Sequence, residues 1–145
     1  MPERATLRRA KEDAREGKAP STQAGEFVKE EMDHIREGKH GARSTKQAIA
    51  IGLSKARRAG VKLPARGSAA TRKKAEQDME AAKHPHQVSA KRSRATEGAL
   101  KREGQAAALH ASLSRQTKKS AAGRSKTARR QAAKKAAATR QRRAA

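Results

Sequence analysis

Thr22–Leu63 reads TQAGEFVKEEMDHIREGKHGARSTKQAIAIGLSKARRAGVKL. Ala24, Val28, Met32 and Ile35 fall at i, i+4, i+8 and i+11, one face of a 3.6-residue period, with Phe27 beside them. Ile49, Leu53 and Ala56 form a second helical stripe, and Gly52 allows close approach. Between the two stripes, Gly38 suits a left-handed helix stop. Ser44-Thr45-Lys46-Gln47 then fits a capping box, Ser for the free backbone N–H groups and Gln47 reaching back. The segment predicts two helices, about 22–37 and 45–59, paired as an antiparallel hairpin across 38–43. Gly60 ends the second helix, and Leu63-Pro64 closes the unit because Pro restricts the residue before it.

The same stop-turn-start grammar occurs upstream. Arg15-Glu16-Gly17-Lys18 followed by Ser21-Thr22 parallels Arg36-Glu37-Gly38-Lys39 followed by Ser44-Thr45. A mostly polar helix over about 3–16 is therefore expected to precede the hairpin. Two copies are too few for a solenoid. Residues 1–66 form a small helical head with 16 basic and 9 acidic residues. It holds nine of the chain's 13 Ile, Leu, Val and Phe. At roughly 2 kcal/mol each these supply about 20 kcal/mol of burial, less than the ordering of the head costs on the same scale. The head is expected to be marginal alone, or to pair with a second copy through 22–63.

Beyond Arg66 the helical tendency continues without a face. Helices are expected at about 68–83, 89–103, 105–120 and 125–143, the first two forming a basic linker region at 67–103. Residues 104–145 contain twelve Lys or Arg and no Asp or Glu. Ile, Leu, Val and Phe make up so little of the chain, against a net charge of +23, that disorder is the compositional default. The fold class expected is all-α: a hairpin head, Ala/Lys/Arg-rich helices and a largely disordered cationic tail, partly helical free and more so when neutralised.

A polycation of this kind binds dense polyanions by releasing their condensed counterions. The expected contacts are Lys118, Lys119, Arg124, Lys126, Arg129, Arg130, Lys134, Lys135, Arg140, Arg142 and Arg143. The mode should be blind to sequence. The chain has no Asn, and its one aromatic, Phe27, is assigned to the core rather than to base stacking. Arg43, Lys46, Lys55, Arg57 and Arg58 flank the 45–59 stripe as a secondary basic face. A recognition helix there is the sharper alternative to an ordinary solvated face, but the turn before it is long.

Other chemistries find little support. Without Cys there is neither disulfide nor thiolate site. His84 and His86 flank a Pro, and His34 and His40 lack Cys partners and an i, i+4 pair, so no metal site and no cofactor are expected. Glu26, Glu30, Asp33 and Glu37 have the spacing of a solvated helix face, and no nucleophile or phosphate-loop motif is present, so the chain is read as a non-enzyme without a small-molecule substrate. Neither a secretory leader nor an apolar run of membrane length is visible, which points to the cytoplasm, and to the nucleoid for so basic a chain.

The segment GEFVKEEMDHIREGKHGARSTKQAIAIGLSKARRAGVKL, Gly25–Leu63, resembles an uncharacterised family of short basic bacterial and phage proteins, some labelled plasmid stabilization protein. The likeness is carried by the Phe-Val-x-x-x-Met helix, the Gly-Lys turn and Gln-Ala-Ile-Ala-Ile-Gly-Leu-Ser at 47–54. The phrase SKTARRQAAKKAAATRQRRAA, Ser125–Ala145, resembles a linker-histone tail. The first resemblance implies a bacterial source and no catalytic residue. The function expected is sequence-independent nucleic-acid binding, DNA favoured over RNA, without a membrane partner. The alternatives are an RNA- or ribosome-associated protein, or a protein-interaction module localised by its tail.

Overall fold

A computed structural model describes residues 2–84 and 89–144. The chain forms α1 (Arg4–Arg15), α2 (Pro20–Arg36), α3 (Thr45–Arg58), α4 (Ala69–Lys83), α5 (Ala90–Lys101), a 3-10 turn (Ala106–Ala108), α6 (His110–Ala122) and α7 (Lys126–Ala144). No strand occurs among the described residues. The helices divide between two compact units, Met1–Leu109 and His110–Ala145.

The first unit is organised by α2. It packs on both α1 and α3, and α1 runs alongside it from Glu26, which meets Arg9, to Glu30 and His34, which meet Glu3. Gly52 of α3 backs onto Val28 of α2, and the ends meet where Arg36 and Thr45 bond the neighbouring carbonyls of Ala108 and Ala107. That order makes α2 and α3 the antiparallel pair read from the sequence. The helix stops behave as read: Gly17 and Gly38 take φ of 69° and 74°, and Lys18 and Lys39 donate back to the carbonyls of Asp13 and His34. This is the left-handed ending that glycine adopts without steric cost. Ser44 caps α3 by accepting from Gln47 N at 3.2 Å, while Gln47 Oε1 accepts from Arg43 N rather than from Ser44.

The buried stripe of α3 differs from the one expected. Thr45, Ala48, Gly52 and Ala56 face inward, and Ile49 and Leu53 are only half-buried. The small residues let the α2 and α3 backbones approach, which pushes the larger side chains to the flanks. Eight of the thirteen buried apolar residues among the described residues are Ala, around Phe27 and Ile35. Val61 and Leu63 close one end of the core with Ala10 and Ala24.

The segment after residue 66 completes this unit. Asp78 on α4, 1 % exposed, accepts from Ser54, Arg58 and Lys74 and ties α4 to α3. Gly41 N donates to Leu100 O and Ala42 N to Gly104 O, while Thr45 Oγ1 donates to Ala107 O at 2.6 Å. The turn at 38–44 is thus clamped by chain some sixty residues downstream.

The largely disordered tail expected from composition is not what the structure contains: residues 110–122 and 126–144 are the helices α6 and α7. The compositional criterion measures whether a segment can bury a core. It does not measure local propensity, and Ala, Arg, Lys and Gln, which dominate α7, are among the best helix formers. Ser125 supplies the start signal by accepting from Ala128 N at 3.1 Å.

Candidate nucleic-acid interface

Within the second unit, α6 and α7 carry the expected phosphate contacts. Lys118 and Lys119 stand exposed on α6, and Arg124 is exposed in the turn that follows. Arg115 lies three and four residues before the two lysines and shares their face. It stands apart from the adjacent basic pairs that mark the expected contacts, and the i, i+3, i+4 spacing brings it onto their face. The Arg115 guanidinium donates to Ser112 Oγ at 3.0 Å and stays exposed.

On α7, Lys126, Arg129, Arg130, Lys134, Lys135, Arg140 and Arg142 are all exposed. At about 100° per residue, Lys126, Arg130 and Lys134 run along one side, Lys135 and Arg142 along the opposite side, and Arg129 and Arg140 along a third. The side chain of Arg143 lies outside the described residues. The sequence from 126 to 144 holds eight Lys or Arg and no acid. Nineteen residues span roughly 28 Å, so α7 carries about one positive charge per 3.5 Å. Duplex DNA carries about one negative charge per 1.7 Å. The helix can therefore neutralise close to half of the charge along its own length.

The secondary basic face divides. Arg43 and Lys46 are exposed, with no ion-pair partner among the described residues. Lys55 is held by Glu31 Oε2 at 2.6 Å and Glu30 Oε1 at 3.7 Å, and Arg58 by Asp78 at 3.1 Å. Arg57 is half-buried. Two of the five cations are thus bound to carboxylates buried in their own unit.

Those carboxylates overturn another expectation. The acidic run on α2 has a solvated face in sequence terms, yet Glu30 is 4 % and Glu31 1 % exposed. Glu30 Oε2 accepts from Glu3 N, and Glu31 Oε1 lies 3.2 Å from His40 Nε2. Burial of charge is tolerated here because each carboxylate meets a cation or donor from another element. Of the histidine pair weighed at 84 and 86, Pro85 and His86 lie outside the described residues. The His84 ring faces Glu80 at 3.5 Å.

Residues 19–67 match the model of a family of unknown function, DUF6496. No curated protein and no solved structure matches the chain. The matched segment contains α2, α3 and the closing turn, and so contains Glu31, His34, His40 and Lys55. It agrees with the resemblance to an uncharacterised family read from Gly25–Leu63. No helix among the described residues is long and apolar enough to cross a membrane.

Proposed function

We propose that the protein is a sequence-independent nucleic-acid-binding protein whose main contact surface is α6 and α7, with DNA preferred to RNA. The observation that carries this reading is the distribution of charge on α7: cations on three sides and no carboxylate after Glu103. A helix with side chains is about 10–12 Å across and enters a B-form major groove about 12 Å wide. The deep, narrow major groove of A-form RNA does not admit it. Cations left facing outward can reach the phosphates of a second duplex, so bridging accompanies binding.

The reading is backbone-directed. Phosphate contacts position a protein without reading sequence, and α6 and α7 contain neither Asn nor a Phe, Tyr or Trp for base stacking. On this reading the protein acts on the bacterial nucleoid or in plasmid maintenance. Arg43 and Lys46 supply an accessory contact from the first unit.

The test is a salt series with duplex DNA and structured RNA in parallel, using the full chain and a form ending at Leu109. If six to ten phosphates are neutralised, affinity for the duplex falls by about 10³–10⁵ between 50 and 200 mM salt. The truncated form loses most of that affinity. Equal affinity of both forms, or a flat salt response, overturns the reading; tighter binding to RNA overturns the DNA preference.

A further inference from the structure

Where α2 runs into its C-terminal turn, three potential ligands converge. Glu31 and His34 are three residues apart on one face of α2, and His40 follows in the turn. One carboxylate oxygen of Glu31 and one ring nitrogen from each histidine lie within 4.8 Å of one another. We propose that Glu31, His34 and His40 form a binding site for a divalent transition-metal ion of the zinc class. The proposal does not rest on nucleic-acid binding.

Distances fit such an ion. Zinc–ligand bonds of 2.0–2.2 Å place neighbouring tetrahedral ligands about 3.4 Å apart, and His40 Nε2 lies 3.2 Å from Glu31 Oε1. The orientation of His40 is the stronger argument. Its Nδ1 is 3.1 Å from Gly41 O. A carbonyl oxygen only accepts, so Nδ1 carries the hydrogen and Nε2 is the ring nitrogen that faces Glu31. Nε2 and the Glu31 carboxylate share one cation between them, a proton or a metal ion, and the third donor at His34 within 4.8 Å suits the metal. Outer-nitrogen donation to a backbone carbonyl is also the usual way a protein orients a metal-binding imidazole.

The remaining contacts hold the other donors. His34 Nε2 is 2.9 Å from Glu3 Oε1, so Glu3 is a positioning residue for that ring. The Glu31 side chain is 1 % exposed, and its Oε2 has no directed hydrogen bond. Lys55 Nζ, at 2.6 Å, supplies charge from off the hydrogen-bond direction, which reconciles the ion pair with the missing bond. The charged groups linked to the cluster are Glu3, Glu30, Glu31 and Glu37 against Lys39 and Lys55. Carboxylates outnumber ammoniums, which leaves net negative charge to receive a dication.

Two imidazoles and one carboxylate favour a transition metal over calcium or magnesium, which take oxygen. Three protein ligands leave a fourth position for water. All three line an open groove, so that position is reachable from outside. Sequence spacing concealed the site because neither histidine pair is i, i+4 and Glu31 stands off the acidic spacing of Glu26, Glu30, Asp33 and Glu37.

The experiment is titration of the metal-free full-length protein with Co²⁺, followed by displacement with Zn²⁺. One equivalent should produce the visible d–d absorption of four- or five-coordinate cobalt, and Zn²⁺ should abolish it. Paramagnetic shifts of the His34 and His40 ring protons locate the ion in the unaltered chain. His34→Ala and His40→Ala should each abolish the absorption while circular dichroism stays unchanged. Glu3→Gln should weaken binding about 10–100-fold, and a His84→Ala/His86→Ala double variant should bind as before. No cobalt absorption, unshifted His34 and His40 resonances, or loss of binding only in the His84/His86 variant overturns the site.

Discussion

The Lys55 ammonium lies 2.6 Å from Glu31 Oε2, where the second half of α3 crosses the middle of α2. On the sequence, Lys55 belongs to a solvent-facing basic face. In the fold it is the cation that makes two buried carboxylates, Glu30 and Glu31, tolerable between helices.

Replacement of Lys55 by Met should therefore act on stability. Removing one partner of a buried pair costs about 3–5 kcal/mol. The Lys55 side chain is 24 % exposed, so solvent screening places the expected loss near the lower end, about 3 kcal/mol. Lys46→Ala, at an exposed site, should stay within about 0.5 kcal/mol. Urea denaturation of the two variants checks the contrast; equal stabilities would remove Lys55 from the interior network.

Gly52 and Gly25 should respond to Ala in opposite directions. A Cβ at Gly52 would stand 2.7 Å from Val28 Cα, backbone that cannot rotate away. Overpacking of this kind costs about 1–3 kcal/mol. A Cβ at Gly25 meets nothing within 4 Å. There Ala should stabilise α2 by up to about 1 kcal/mol through helix propensity. Thermal midpoints of both variants decide it, and a stabilising Gly52→Ala would contradict the close α2–α3 crossing.

Asp78 gives the first unit an acid limit. Burial acts to raise its pKa, but hydrogen bonds from Ser54, Lys74 and Arg58 outweigh it and hold the carboxyl below the ordinary value of 3.8. A group depressed in the folded state stabilises above its unfolded pKa. Its contribution begins to fade as pH falls past about 3.9 and is gone below the folded value. Asp78→Asn should destabilise at pH 7, and the gap to the wild type should narrow below pH 4. A gap unchanged down to pH 2 would show that the carboxylate is not what ties α4 to α3.

Charge on α7 should count by number rather than by side. Lys134→Gln, Lys135→Gln and Arg140→Gln lie on three different sides of the helix. If each removes one phosphate contact, each reduces the slope of log affinity against log salt by about 0.9. A change confined to one of the three would indicate a single binding face instead of a charge that surrounds the helix. Binding should also raise helicity by circular dichroism, because like-charge neighbours such as Lys126 with Arg130 repel along the free helix.

Much of this protein is legible in one dimension. The apolar period of 24–35, the glycines at 17, 38 and 60, and the cap at Ser44 locate α1 to α3 because helix periodicity and termination are local chemistry. The uniform sign of residues 104–145 is likewise a property of sequence, and the proposed contact with phosphate needs little more than that sign. Tail order was misread because burial capacity and helix propensity are separate quantities, and Ala-rich basic chain is poor in one and rich in the other.

Only the folded arrangement decided where carboxylates meet cations. Glu30 looks like part of a solvated stripe until α3 brings Lys55 against it and against Glu31, and the turn returns His40 to Glu31. Glu3 reaches His34 across 31 positions, and Thr45 is clamped by a carbonyl 62 positions away. Such pairings depend on helix crossing and loop return, which no local pattern encodes. The sequence by itself determined the helices and the charge; tertiary packing selected which charges face water and which are locked between α2, α3 and α4.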